Sequence, residues 1–391
     1  MEKLKMQSHD VIGSNTQKIA QLFPNCVTER LGKDGKPELA IDFEKLQVEL
    51  SNEIIAEGEE RYQFTWPDKR AAVRLANTPT TMTLRPCREE SVDFDNTQNL
   101  YIEGDNLDVL KVLRETYLGK VKMIYIDPPY NTGNDFVYND DFAESASEYL
   151  ANSGQYDDQG NRLVTNTESN GRFHTDWLNM IYPRLKVARD LLADDGAVFI
   201  HIDENELLLL TMLCGKIFGV KNILTMVWKK TNERFDQNRK EKPLESGIRR
   251  THEYVLLCFK DREGTTLNPI KQPVWNGKEY VEKEKPLETI IDDLGTTSSA
   301  KDELAYILGD RAIFSTPKPV KLIKEFIRAG SHKKSIILDF FAGSGTTGHA
   351  VMDLNKEDGC NRKFILITNN ESNICQKVTI PRIQKAIETY E

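Results

Sequence analysis

Two clusters of residues have types and spacings that could do chemistry. The first is Asp127-Pro128-Pro129-Tyr130, which ends an apolar run from Val121 to Ile126. Proline donates no N–H and disfavours the α region in the residue before it, so the chain must leave this run extended. A carboxylate, a stiff Pro-Pro carbonyl and an aromatic plane at the end of a buried strand suit gripping a planar, amine-bearing ring. The lesser alternative for the four residues taken alone is a plain strand end, with Asp127 in a turn and Tyr130 in the core. The second cluster is Gly343, Gly345 and Gly348, a G-x-G-x-x-G spacing between a strand (335–340) and a helix to about 354. Glycine lets a backbone turn tightly and approach a ligand with no Cβ in the way. Glu371, 23 residues past Gly348, ends the following strand, where a carboxylate can accept ribose hydroxyl bonds. A nucleoside-containing cofactor is expected there; a bare glycine turn is the alternative.

Positioning these clusters takes an α/β sheet. The spacing predicts strands over 99–103, 121–126, 197–202, 223–228, 254–259, 335–340 and 363–368, with helices over about 107–116, 175–192 and 206–218 between them. An amphipathic helix follows the Phe314-to-Pro319 stretch. Only 43 residues follow Gly348, room for one more strand and helix, so the sheet's other strands must come from upstream. The glycine strand is therefore late in sequence yet central in space, beside the Asp127 strand: a doubly wound Rossmann-like sheet, circularly permuted in motif order. Four regions are expected: a helical and extended region over 1–98, a first sheet portion over 99–260, an inserted module over 261–310, and a second portion over 311–391. Residues 1–60 read as helical, 61–98 as turn-rich and extended, and 144–172 as a surface loop that is equally a lid over the site or a plain insertion.

The 391 residues allow two or three domains. No apolar run reaches the ~20 residues needed to span a bilayer, and the start lacks a signal peptide's apolar core. Six scattered cysteines without CxxC spacing point to neither zinc nor disulfides, and a reduced cytoplasm is expected. Net charge is −9, but 229–250 holds eight Lys/Arg against four Asp/Glu, and 311–334 holds seven against Glu325 alone. Either stretch reads equally as a basic contact surface or as a solvated one.

The early DPPY, the late FAGSG loop and the variable segment between them resemble the β-order amino-methyltransferases of DNA. NLYIEGDNLDVL, KMIYIDPPYNTGNDFVYNDDF, the 173–206 block, THEYVLLCFK, FSTPKPVKLI and ILDFFAGSGTTGHAV are similar to that family's successive motifs. With ERYQFTWPDKRAAVRLAN, the sequence resembles the modification (Mod) subunits of Type III restriction–modification systems.

The resemblance implies S-adenosylmethionine as cofactor, no metal, and methyl transfer to adenine N6, since Asp at the head of DPPY is similar to the N6-adenine members. Phe341, Gly343, Gly345 and Thr346 would line the cofactor, Asp339 would support the loop, and Glu371 would hold the ribose. Asp105 would sit near the cofactor's adenine, although its local sequence also fits a helix cap. Lys318 would lie against the methionine end. Asp127, Pro128, Pro129 and Tyr130 would carry catalysis, with Phe136 and Tyr138 as a second wall or as core. The implied partners are double-stranded DNA with its target adenine flipped out, a restriction (Res) subunit and a second copy of the chain, with no membrane. The 261–310 segment is short and acidic where the family's target-recognition region is expected. The chain also ends at Glu391, soon after the second cofactor strand. A shortened fragment that binds without methylating, a stand-alone adenine methyltransferase and a nicotinamide enzyme are the alternatives.

Overall fold

The computed structural model describes residues 7–31, 37–50, 63–133, 136–138, 163–165, 172–231, 250–370 and 373–390. Eight strands, numbered in chain order, form its central sheet: β1 (Leu100–Glu103), β2 (Val121–Ile126), β3 (Leu192–Ile202), β4 (Ile223–Lys229), β5 (His252–Phe259), β6 (Ile290–Ile291), β7 (Ile336–Asp339) and β8 (Lys363–Thr368). Across the sheet they run β6-β4-β5-β3-β2-β7-β8-β1.

The glycine strand β7 lies between β2 and β8, parallel to both, with Leu338 opposite Ile124 and Ile365. The expected adjacency of the two half-sites holds, and so does the permutation. The carboxyl ends of β1, β2, β3, β7 and β8 share one edge. Strand β5 is antiparallel to β3, with Tyr254 opposite Ile202, so its first residues return to that same edge.

β2 is buried along its whole length, as its unbroken apolar sequence requires of a central strand. Its residues alternate between two cores, which makes the fold doubly wound. Ile124 and Ile126 face α1 (Asn106–Tyr117), α2 (Phe173–Leu191) and α3 (Leu207–Phe218) through Leu110, Trp177 and Leu210. Met123 and Tyr125 face α4 (Val320–Gly330) and α5 (Thr346–Asp358) through Phe326 and Val351.

Three readings are corrected. Residues 1–60 are not all helical, because Val27–Leu31 pairs with Pro37–Ile41 in an antiparallel hairpin between helices Val11–Leu22 and Phe43–Leu50. Residues 61–98 are not all extended: Lys69–Asn77 is a helix burying Ala72 and Ala76, four residues apart on one face. The inserted module is tied to the sheet, since it contains β6, which pairs with β4, as well as a hairpin of Ile270–Trp275 with Tyr280–Lys285. Of the expected lid, Leu163–Thr165 pairs with Phe136–Tyr138, and residues 144–162 and 166–171 lie outside the described residues. So do Glu371 and residues 232–249 of the basic stretch. Among the described residues, no helix is long and apolar enough to cross a membrane.

Candidate active site

Asp127 follows β2 directly, and its carboxylate is the hub of a buried charge network. Lys318 Nζ lies 2.6 Å from Asp127 Oδ2 and 2.9 Å from the Tyr130 hydroxyl. That hydroxyl stands 2.8 Å from Asp127 Oδ1 and 2.9 Å from Glu253 Oε2. Glu253 is 3.4 Å from Lys318, and Lys230 holds its other oxygen at 3.3 Å. The Lys318 ammonium also sits 5.1 Å from the Tyr130 ring centroid, within cation–π range.

Burial works against the Lys318 charge, but Asp127 and Glu253 outweigh it and raise its pKa above the ordinary lysine value. Burial alone would raise Glu253; the Lys318 and Lys230 ammoniums reverse that and hold it well below the usual carboxylate range. Tyr130 is pushed far up by burial, then by Asp127 and Glu253, so its phenol stays protonated. His201 is buried, and burial lowers its pKa; its Nδ1 is 3.8 Å from Glu253, too far for a hydrogen bond.

The turn on either side of Tyr130 is fixed from below. Trp177 Nε1 donates to the Pro129 carbonyl at 2.8 Å. Asn131 takes a left-handed φ of 60°, which asparagine tolerates, and donates to Glu206 Oε1 at 2.6 Å. His174 Nδ1 meets that same oxygen at 2.6 Å.

The second corner is set by backbone shape. Gly343 and Gly345 have φ values of 48° and 76°, and Gly345 opens α5 from the left-handed region. Gly348 acts differently, by allowing close helix packing, since a Cβ there would come within 2.7 Å of Ile383 and 2.9 Å of Leu366. Asp339 accepts the Phe341 N–H at 3.0 Å and the Thr347 hydroxyl at 2.5 Å. Burial pushes its pKa up to about 7. Thr346 is turned to the rear of the loop, where Arg382 of the last helix, α6 (Ile380–Tyr390), donates to its hydroxyl at 2.8 Å. Thr379 donates to the Gly343 carbonyl at 2.7 Å.

Asp105 does cap α1, accepting the Asp108 N–H at 3.0 Å, and its second oxygen takes Arg184 at 3.0 Å. Neighbouring Asn106 donates to the Phe340 carbonyl at 2.8 Å, which joins this turn to the glycine loop.

The segment before α4 reaches both corners. The Phe314 ring tip would lie 3.4 Å from a Cβ on Gly343, while Lys318 bonds Asp127. Lys318, expected at the methionine end of a cofactor, thus binds the Asp127 carboxylate and stands where the half-sites meet. Among the loop's glycines, Gly343 is the one where an added Cβ would point at that segment. Sequence reasoning missed Glu253, Trp177, Arg184 and Arg382. The one available signal was a charged pair, His252-Glu253, starting a strand whose next residues are apolar.

Comparison with known proteins agrees with this arrangement. A family described as DNA methylase (N6_N4_Mtase) matches residues 121–378. The chain is 30% identical to the Type III restriction-modification enzyme EcoPI Mod subunit of Escherichia phage P1, over 93% of this chain and 71% of that protein. It is 31% identical to the StyLTI Mod subunit of Salmonella typhimurium, over 85% of this chain and 62% of that protein. With the EcoP15I Mod subunit of Escherichia coli it shares 27% identity over 93% of this chain and 72% of that protein. With both chemical corners inside the matched span, the chain belongs to the N6_N4_Mtase family of DNA methylases and, within it, to the Mod subunits of Type III restriction–modification systems.

Proposed function

We propose that this chain methylates the N6 amino group of adenine in duplex DNA, using S-adenosylmethionine held by the glycine corner. The observation that carries the reading is the neighbouring of β2 and β7, which brings Asp127 and the Gly343 loop to one edge of the sheet. The cofactor supplies a methyl group made electrophilic by its sulfonium. Phe341, Gly343 and Gly345 would hold it, with Asp339 and Thr347 keeping the loop in shape; Glu371 would take the ribose and Asp105 would sit near the adenine.

The protein has to make a poor nucleophile attack. The lone pair of adenine N6 is delocalised into the ring. Asp127 and the Pro128 carbonyl accept its two N–H bonds, which favours a pyramidal nitrogen with the lone pair aimed at the methyl. Such positioning contributes about 7–11 kcal/mol in well-oriented reactions. The proton released after transfer passes to Asp127. Extruding the base costs a few kcal/mol, and Tyr130, its hydroxyl pinned on both sides, offers a stacking face worth about 1–3 kcal/mol.

The duplex, a Res subunit and a second copy of the chain are the proposed partners. Sequencing DNA from cells that express the chain tests the reading and identifies the target site. N6-methyladenine at one recurring sequence is expected. Methylation at cytosine N4, or cofactor binding with no methylated DNA, would overturn it.

A further inference from the structure

We infer that Glu253 is a positioning residue that serves as the second seat for the Lys318 ammonium, taking it from Asp127 when the target amine arrives. The inference rests on the reading of Asp127 as the acceptor for that amine.

Lys318 is only 7% exposed and touches three oxygens: Asp127 Oδ2 at 2.6 Å, the Tyr130 hydroxyl at 2.9 Å and Glu253 Oε2 at 3.4 Å. The closest of these is the carboxylate that must receive the target amine. An ammonium there draws off the negative charge the amine needs, and it repels the positive charge that builds on nitrogen during transfer. Glu253 removes the conflict at little displacement, because its oxygen already borders the ammonium.

The Tyr130 hydroxyl stands 2.8 Å from Asp127 and 2.9 Å from Glu253, yet it has one proton and donates to one of them at a time. As Lys318 moves to Glu253, that proton turns to Asp127, so Asp127 keeps one donor from the protein and Glu253 takes the ammonium in its place. Lys230, 3.3 Å from the other oxygen of Glu253, holds the receiving carboxylate still. Of the other titratable groups that face this pair, His201 is 3.8 Å from Glu253 and is held neutral by burial, Tyr125 is likewise kept protonated by burial, and Asp203 and Asp339 are carboxyls whose pKa burial raises.

The test is a charge-against-shape series on the full chain, with the target duplex as substrate. Glu253→Gln keeps the size and loses the charge; Glu253→Asp keeps the charge and loses a methylene. Single-turnover methylation should fall in the order Glu, Asp, Gln, by about tenfold or more for Gln, with cofactor affinity within about threefold. A purely structural role predicts Gln at or above Asp, because Gln fills the site better; that order, or a Gln variant within about twofold of wild type, overturns the inference.

Affinity gives a second readout. The ratio of affinities for duplexes carrying adenine or purine (no amino group) at the target should drop in Glu253→Gln; an unchanged ratio overturns the proposal. Should Glu253→Gln fold poorly alone, it is paired with Lys318→Gln. There the change at Glu253 should cost less than about threefold in that ratio, since no ammonium needs a seat, and an additive loss overturns the inference. If wild type fails to methylate adenine, it is the parent reading that fails.

Discussion

The two corners of the site are built on opposite principles. The Asp127 corner is made by side-chain charge: Lys318 and Tyr130 bond the Asp127 carboxylate, and Glu253 and Lys230, from two further segments, extend the network behind them. The glycine corner is made by backbone shape, with left-handed residues at 343 and 345, and neutral groups such as Thr347 and Thr379 bracing it from behind. A charge network can lose a member and keep its fold, whereas a shaped loop loses form and function together. Damage to the first corner should therefore appear in turnover, and damage to the second in binding and stability.

The strongest break in that contrast is Asp127→Ala. Turnover should fall by about a thousandfold or more, with cofactor affinity within a few-fold, because the carboxylate is the proposed acceptor and touches no part of the loop. Transfer of a labelled methyl group, read beside calorimetric cofactor binding, checks it. Equal losses in both would erase the distinction. Gly343→Val is the counterpart. At φ 48° a β-branched residue is strained by about 1–3 kcal/mol, and its branches would meet Phe314. Cofactor affinity should drop by about a hundredfold and the melting temperature by several degrees.

The same contrast explains what could be read from sequence. Pro128, Pro129, Gly343 and Gly345 act through local backbone rules, which a sequence displays directly. Glu253 acts because β5 runs antiparallel beside β3, and nothing in THEYVLLCFK states that pairing. Arg382 was hidden likewise, on an amphipathic helix where one polar position looks like any other, and Trp177 reads as one more apolar residue on its helix face, with no sign of its indole donor's partner. The Lys69–Asn77 helix was missed although its signal was present, since the prolines and threonines around it outweighed Ala72 and Ala76 in a short window.

A smaller effect probes how the loop tolerates charge. Burial sets the Asp339 carboxyl at about 7, above the ordinary 3.8, so between those values the folded protein binds more protons than the unfolded chain. Its contribution to stability therefore falls as pH rises through that window, by up to roughly 4 kcal/mol. Asp339→Asn has no such titration. Urea midpoints from pH 4 to 7 should show the variant gaining on wild type as pH rises. Parallel curves would mean that Asp339 stays ionised and is satisfied by Phe341 and Thr347 alone.

The mildest change tests a helix that, like the segment before α4, reaches toward both corners. Helix α2 carries Trp177, which donates to Pro129, and Arg184, which holds Asp105 and Asn106 beside the loop. Trp177→Phe keeps most of the buried aromatic volume and removes only the indole donor, a loss of about 0.5–1.5 kcal/mol. Because that bond fixes the turn leading to Tyr130, its removal should slow methylation by about three- to tenfold while cofactor affinity stays level. A matching fall in cofactor affinity would show that α2 transmits strain from one corner to the other. The corners would then be one mechanical unit, and separating turnover from binding would no longer describe them.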